Sequence, residues 1–494
     1  MTKYDTVKRL GDEICNDFLG FTPTSNSTKP PHIANGLFRE VSGFEGNCED
    51  VHEWMGVSER RKKPISCDDI ISKYKNIFSK GENEALSNVK EFRFLLDDIF
   101  NPDNTVYPDY NYSVLNISSK WLVKNIVPSE AKIGSFISDI LSKEINEKKS
   151  LAVKLINEAL LTDTDDLTKI IKPIIAFPSD QTKIEKNSLD NIHVAETEWN
   201  ACKEIIRQGF DNLAENMLYL GENKNSLLVL ERMVNFSCFA TFYYLINVNA
   251  VRQGAGLTPI LIDAGKDTES IKKASEYCYS FAKTAVEDFF ITSISTILHN
   301  EIPQDNKISC REWITNMVFS NDDRENKITD ALNSLFESFC DNAESPIYAL
   351  SHALQMVLYT FDYKHSSPSD FCRVLGVRGG LLGPRGNAAQ IKRYLFNSFT
   401  LETITYSILS KDDIDVGIEL KDFSSKLTRA YNILLGTDVD FEYSILERSN
   451  IAQRTPGDLR GDMAINAQRI ADLYISLGMG HRYADGVTMI GGRG

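Results

Sequence analysis

The longest apolar run of the chain, residues 227–251, constrains the fold more than any other feature. Five charged or amide side chains interrupt it, at Glu231, Arg232, Asn235, Asn247 and Asn249. A membrane-spanning helix carries such residues only at a high cost, whereas a helix at the centre of a globular protein can pair them with its neighbours. We therefore expect a buried core helix here.

Most of the remaining chain also has a helical pattern. Apolar residues recur at spacings of three and four over residues 65–165 and 196–365. Asp267 and Thr268 begin a long predicted helix whose apolar stripe comprises Ile271, Ala274, Cys278, Phe281, Ala285 and Phe289. Further helices are expected at 326–342 and 346–360. The fold class is therefore predicted to be mainly α, with a multi-domain helical body.

Changes in composition divide the chain into four segments. Residues 1–64 are predicted to be irregular, because Lys29-Pro30-Pro31 and the basic run before Pro64 interrupt any helix. Residues 65–195 form a helical domain that ends in a polar linker, and residues 196–365 form a central helical domain. Residues 366–494 form a C-terminal domain of short helices and glycine turns. A chain of 494 residues is long enough for several such domains.

The charge of the protein is distributed unevenly between these segments. The formal net charge is −15, yet residues 366–494 contain 15 basic and 15 acidic residues. All of the excess negative charge therefore belongs to residues 1–365, which repel polyanions. Any contact with nucleic acid requires a local basic surface or a partner subunit.

Cysteine and histidine usage indicates a reducing compartment and no metal site. The nine cysteines include no C-x-x-C pair, and the seven histidines are scattered. The first residues lack the apolar core of a signal peptide. We expect a cytoplasmic protein that does not bind a membrane, holds no metal and uses no cofactor.

The C-terminal segment ends in a pattern typical of a winged helix. A predicted helix covers residues 462–477, and Asp485-Gly486 then separates two short runs of β-forming residues. An Asp-Gly pair in this setting predicts a hairpin. A helix followed by a tight hairpin closes a winged-helix unit, so we predict a C-terminal winged-helix-like α+β module, although another small α+β cap has the same pattern.

One basic window stands out, because no acid occurs between Asp370 and Glu402. Its glycine-rich centre covers residues 375–386, and its bases are Arg373, Arg378, Arg385, Lys392 and Arg393. Glycines allow close approach to a phosphate, and arginines neutralise its charge. These five residues, with Arg482 near the hairpin, are the predicted nucleic-acid or partner-binding residues. The alternative is structural: the glycines form tight turns, and the arginines pair with acids elsewhere in the chain.

Catalytic motifs are absent from the sequence. The window lacks the lysine and hydroxyl pair of a P-loop, and neither a G-x-S-x-G elbow nor an H-E-x-x-H pair occurs. We predict no catalytic residue and no enzymatic activity. For a nuclease, Asp263 is the best candidate acid, since it ends the apolar run Ile260-Leu261-Ile262; a cap or turn role is the alternative.

Several short patches together resemble one protein family. They are residues 259–263, 380–385, 392–394, 401–403 and 484–488. They are similar to an accessory, non-ATPase subunit of prokaryotic anti-phage restriction systems of the phosphorothioation-dependent or methylation-associated type. The resemblance implies a scaffold or DNA-engaging subunit, encoded beside a HerA-like or other P-loop ATPase and a nuclease.

The sequence therefore predicts a non-catalytic accessory subunit of a bacterial anti-phage DNA restriction complex. Its helical body would bind partner subunits, namely a P-loop ATPase and a nuclease, and its C-terminal module would contact double-stranded DNA or another subunit. Two alternatives stay open. One is a metal-dependent nuclease subunit, and the other is a stand-alone winged-helix regulator that binds DNA as a homodimer.

Overall fold

The computed structural model describes residues 3–23, 28–45, 66–73, 87, 89–91, 130–145, 148–161, 182–183, 198–265, 268–316, 323–363, 366–385 and 391–492. Within these ranges the protein is mainly helical, as predicted. The chain divides into two compact units. The first comprises Met1–Thr28, Val194–Asn216 and Asn235–Gly494, and the second comprises Lys29–His193 and Met217–Val234. The predicted domain boundary at residue 365 lies inside the first unit.

The α-helices up to residue 301 are α1 (Lys3–Glu13), α2 (Pro30–Ser42), α3 (Cys67–Lys73), α4 (Ile133–Ser142), α5 (Leu151–Leu161), α6 (Ala201–Leu220), α7 (Ser226–Arg252) and α8 (Glu269–Glu301). Those that follow are α9 (Lys307–Asn316), α10 (Asp323–Cys340), α11 (Pro346–Phe361), α12 (Pro368–Arg378), α13 (Ser398–Tyr406), α14 (Lys411–Val416), α15 (Leu420–Tyr431), α16 (Val439–Arg448) and α17 (Leu459–Ser476).

The strands are short. They are β1 (Phe44–Glu45), β2 (Thr182–Lys183), β3 (Ile260–Leu261), β4 (Leu382–Gly383), β5 (Arg393–Tyr394), β6 (Ile418–Glu419), β7 (Ile433–Leu434), β8 (Gly480–Arg482) and β9 (Thr488–Ile490). In the second unit β1 and β2 pair antiparallel. In the first unit β3 and β7 pair parallel, β4 and β5 form an antiparallel pair, and β6-β9-β8 form an antiparallel sheet.

Helix α7 confirms the predicted core helix. From Asn235 onward almost every side chain in it is buried. Its ring side chains pack against Tyr431 of α15: the ring centroids of Phe239 and Tyr431 are 4.9 Å apart, and those of Tyr243 and Tyr431 are 5.5 Å apart. Among the described residues, no helix is both long and apolar enough to cross a membrane.

Helix α8 confirms the second long predicted helix but corrects its apolar stripe. Ile271, Ala274 and Cys278 are fully buried, whereas Phe281 is 39% exposed. The buried positions continue through Ala282 and Val286 instead. An α-helix has 3.6 residues per turn, so over 33 residues its buried face drifts away from any constant spacing of three or four residues. A stripe continued at such a spacing therefore leaves the core.

The first 64 residues are not uniformly irregular, contrary to the prediction. Helix α1 is followed by a π-helical turn at Ile14–Leu19, and α2 begins at Pro30. Pro30 and Pro31 lie in the first turn of α2. The N–H groups of a first turn have no acceptor within the helix, so proline costs no hydrogen bond there and can start the helix. The basic run at 60–63 lies outside the described residues.

The second unit contains an unusually close helix crossing between α2 and α4. A Cβ atom added to Gly134 would lie 2.2 Å from the backbone carbon of Gly36. Beside this crossing Arg39 and Glu130 form an ion pair in which both side chains are almost fully buried. Asn35 donates a hydrogen bond to the same carboxylate. The two glycines therefore allow α2 and α4 to approach closely, and this approach brings the buried charges of Arg39 and Glu130 together.

Replacing Gly134 with alanine should destabilise the second unit. The new methyl group meets backbone rather than a movable side chain, so we expect the free energy of unfolding to fall by about 3 kcal/mol in equilibrium urea denaturation. Gly256→Ala is the matched control, because no atom beyond its two chain neighbours lies within 4 Å of a Cβ added there. Equal effects of the two substitutions would contradict the close crossing.

Candidate functional site

Residues 258–263 connect remote parts of the first unit. The amides of Ile260 and Ile262 donate to the carbonyls of Asn432 and Leu434, which forms the parallel β3–β7 pair. The amide of Asp263 donates to the carbonyl of Tyr394 in β5. This short segment therefore joins two strands that lie more than 130 residues away in the sequence.

Side chains from two further helices complete the junction. Ser275 of α8 donates to the carbonyl of Leu261 and accepts from the amide of Tyr394. Asn466 of α17 donates to the carbonyl of Ile262 and accepts from the amide of Ala264. Both polar side chains are almost completely buried, so each hydrogen bond replaces one that water would otherwise make.

Asp263, the predicted nuclease candidate, forms a buried ion pair at this junction. Its Oδ2 accepts from Nε of Arg393 at 2.5 Å, and its Oδ1 accepts from the amide of Gly265 at 2.8 Å. The side chain of Asp263 is 3% exposed and that of Arg393 is 16% exposed. Both carboxylate oxygens therefore have partners within the protein, so the geometry supports a structural role for both residues.

Two glycines of the basic window, Gly376 and Gly380, are required by close packing. A Cβ added to Gly376 would lie 2.5 Å from the side chain of Leu382, and one added to Gly380 would lie 2.2 Å from the amide of Asn397. Gly380 also has a φ of +78°, which few other residues adopt. These observations explain both glycines without a phosphate.

Two of the predicted binding residues lie apart from the others. Nη1 of Arg378 donates to the carbonyl of Thr28 at 2.6 Å. Arg482 lies in β8, where Nη2 contacts Asp472 of α17 at 2.8 Å. Neither contact brings the arginine to the junction or to the remaining bases.

Lys392 is the most deeply buried of the predicted binding residues. Lys392 is 3% exposed, and its Nζ donates to the carbonyl of Pro384. Burial and the neighbouring charge of Arg373 lower the pKa of Lys392. Arg385 follows Pro384 and is exposed, with no hydrogen bond or ion pair to a described residue. The binding role of the six predicted residues stays a prediction.

Helix α8 adds two residues that the sequence analysis missed. Nζ of Lys283 lies 5.8 Å from the ring centroid of Tyr279, and that ring packs edge-on against Tyr394. No local pattern could have revealed them, because they lie about 100 residues before the basic window. Only the close packing of α8 against β5 and α12 places them beside it.

Two surface clefts occur around the C-terminal helices. One, of about 620 Å³, lies between α17, β8 and the start of α15; its lining includes Lys421, Gln468, Asp472, Arg482 and Val487. The other, of about 770 Å³, lies between α6 and α15; its lining includes Gln208, Asn212, Lys411, Asp412 and Arg429. Both clefts contain charges of both signs.

The described part of the chain offers no ligand set for a metal, since no group of three or more His, Cys, Asp or Glu side chains converges in it. Cys238 and Cys278 are buried and form no disulfide bond. Burial raises the pKa of Cys278 to about 12 and that of Cys238 to about 12, which keeps both thiols protonated and unreactive at neutral pH.

Comparison with known proteins does not assign a family. The chain matches no family model, and no curated protein is similar enough to count as a match.

Removing the carboxylate of Asp263 should destabilise the protein strongly. Asp263→Ala leaves the Arg393 guanidinium poorly solvated and without its partner, so we expect a loss of about 3 kcal/mol in the free energy of unfolding. Glu337→Ala removes an exposed bidentate partner of Arg311 and should cost about 0.5 kcal/mol or less. Equilibrium urea denaturation measures both values, and a loss at Asp263 no larger than that at Glu337 would contradict the structural role.

Proposed function

We propose that the chain is a non-catalytic accessory subunit of a bacterial anti-phage DNA restriction complex, in which it binds partner subunits through a C-terminal winged-helix-like module. Helices α14, α15 and α17 and strands β6, β8 and β9 form this module. The observation that carries the proposal is the order of its strands combined with the character of its exposed helix.

The strand order supports the winged-helix assignment. In a winged helix, the last strand lies between the strand before the second helix and the strand after the recognition helix. Here β9 lies between β6, which precedes α15, and β8, which follows α17. The turn between β8 and β9 is the predicted Asp485-Gly486 turn, in which the amide of Tyr483 donates to the carbonyl of Val487.

The module departs from a simple helix-turn-helix in one respect. Residues 432–458, which include β7 and α16, separate α15 from α17, whereas a short turn normally joins the two helices. The insertion carries the strand that pairs with β3. The module is therefore built into the first unit, and experiments on it require the full chain.

The outward face of α17 favours a protein partner over a DNA groove. Its exposed residues include Ala464, Ile465 and Gln468. Its two exposed charges are already paired, because Arg460 contacts Asp440 at 3.1 Å and Asp472 contacts Arg482. A helix that binds in a DNA groove presents unpaired basic side chains to the phosphates and hydrogen-bond donors to the base edges. Ile465 is 44% exposed and Tyr483 at the hairpin is 52% exposed, as at an interface.

The proposal also includes a contact with double-stranded DNA. The exposed guanidinium of Arg385 supports it. The buried ion pair of Asp263 gives the nuclease alternative little support. A stand-alone regulator would purify as a homodimer, and co-expression with other gene products would not change its mass. A complex subunit would gain mass under the same conditions, so the mass of the purified protein distinguishes the two alternatives.

The proposal predicts that the chain assembles with the P-loop ATPase and the nuclease encoded beside it. Ile465→Asp places a charge on the proposed contact surface, so we expect the affinity for the assembly to fall at least about tenfold. Co-purification after co-expression, followed by calorimetric titration of the purified components, measures this effect.

Ile308→Asp provides the control. Ile308 is 68% exposed on α9, outside the module, and this substitution should leave assembly unchanged. Failure of the wild-type chain to assemble with those proteins would contradict the proposal. So would DNA cleavage by the chain alone that Asp263→Ala abolishes.

A further inference from the structure

The antiparallel sheet of the C-terminal module has one open edge. Its strand order is β6-β9-β8, so β6 and β8 are the two edge strands. At the β6 edge the chain leaves the sheet directly after Glu419, where helix α15 begins. Among the strands that the structure describes, none pairs with the outer edge of β8. An edge strand with unused backbone groups is a site at which another strand can add.

Two backbone hydrogen bonds show how β8 is paired with β9. The amide of Gly491 donates to the carbonyl of Met479 at 2.8 Å, and the amide of Tyr483 donates to the carbonyl of Val487 at 2.9 Å. In an antiparallel pair such bonds recur at every second residue. His481 lies midway between Met479 and Tyr483, so its backbone groups also face β9.

The other two residues of β8 have their backbone groups on the outer edge. Gly480 and Arg482 alternate with the residues that bond to β9, so their N–H and C=O groups point away from it. No described residue accepts a backbone hydrogen bond from either amide. Gly480 is partly exposed, and the side chain of Arg482 is 42% exposed, so solvent reaches this edge.

Strand β8 of a second copy of the chain matches this edge. Antiparallel pairing about a two-fold axis at His481 places Gly480 opposite Arg482 of the second copy, and Arg482 opposite Gly480 of the second copy. Both members of each pair have outward-facing backbone groups, so each pair can exchange two hydrogen bonds. Each arginine lies opposite a glycine, so this register brings no like charges directly opposite each other.

The aromatic side chains of β8 favour the same register. His481 and Tyr483 lie on one face of the sheet, with their rings edge-on and 4.9 Å between the centroids. Tyr483 is 52% exposed. In the two-fold register the two His481 rings lie opposite each other, and each has its own Tyr483 beside it. The four rings would form one cluster that buries part of the exposed tyrosine surface.

We propose that the chain forms a two-fold dimer by antiparallel pairing of β8 with β8 of a second copy, which joins the two sheets into one. This dimer requires neither the ATPase nor the nuclease, and Ile465 on the outward face of α17 is not part of β8. Loss of partner binding would therefore leave the dimer intact. Each β8 has only 3 residues, so the pairing is weak and depends on protein concentration.

Cross-linking of the full chain tests the two-fold register directly. Opposite residues of a non-hydrogen-bonded antiparallel pair have Cα atoms about 4.5 Å apart, which a disulfide bond can span. We expect His481→Cys to form a covalent dimer on mild oxidation, seen by non-reducing electrophoresis. Thr360→Cys is the control, because Thr360 is exposed on α11, outside the module. Cross-linking no stronger than in this control overturns the proposal.

A matched pair of substitutions at Arg482 tests the outward amide. Arg482→Pro removes that donor, and proline is tolerated on an edge strand. Arg482→Ala keeps the donor but also loses the side-chain contact with Asp472. We expect the dimer dissociation constant, measured by sedimentation equilibrium, to be at least about tenfold higher for Arg482→Pro than for Arg482→Ala.

Two results of the sedimentation experiment would overturn the proposal. One is a monomeric wild-type chain at every concentration up to about 200 µM. The other is an equal dissociation constant for Arg482→Pro and Arg482→Ala. Equilibrium urea denaturation checks that each variant is folded, and if Arg482→Pro is not, the cross-linking of His481→Cys decides.

Discussion

The first unit depends on the hydrogen-bonded junction at residues 258–263. Its backbone pairs with β7 and β5, and Ser275 and Asn466 attach α8 and α17 to the same few residues. The strands are only two residues long, so the pairing alone contributes little. The buried ion pair between Asp263 and Arg393 adds a charged cross-link, which fixes β5 against β3.

The junction also explains why one base of the basic window lies in the core. Successive residues of an extended strand face opposite sides, so Arg393 turns inward to Asp263, whereas Lys392 donates to the carbonyl of Pro384. Arg378 is directed to the carbonyl of Thr28. These three bases therefore each have a hydrogen-bond partner within the first unit. The structural interpretation of the sequence accounts for Arg393, and the binding role of the window stays a prediction.

Local patterns predicted the elements better than their assembly. The run at 227–251, the long helix after Thr268 and the Asp485-Gly486 turn each arise from nearby residues, and each is present in the structure. The start of α2 was missed because proline favours a first turn as strongly as it disfavours a helix interior. The β3–β7 pair joins Ile260 to Ile433, which are 173 positions apart. A local hydrophobic pattern carries no information about contacts at that separation. Lys283 and Tyr279 escaped notice for the same reason.

The central claim is that the buried ion pair between Asp263 and Arg393 stabilises the first unit, and two parallel substitutions test it most directly. Arg393→Met removes a charge from this buried pair, whereas Arg373→Met removes the same charge from a partly exposed contact with Asp370 in α12. Equilibrium urea denaturation measures the free energy of unfolding of each variant. We predict that Arg393→Met lowers the free energy of unfolding by about 3 kcal/mol, whereas Arg373→Met lowers it by about 0.5 kcal/mol or less. Equal losses in the two variants would contradict the central role of the buried pair.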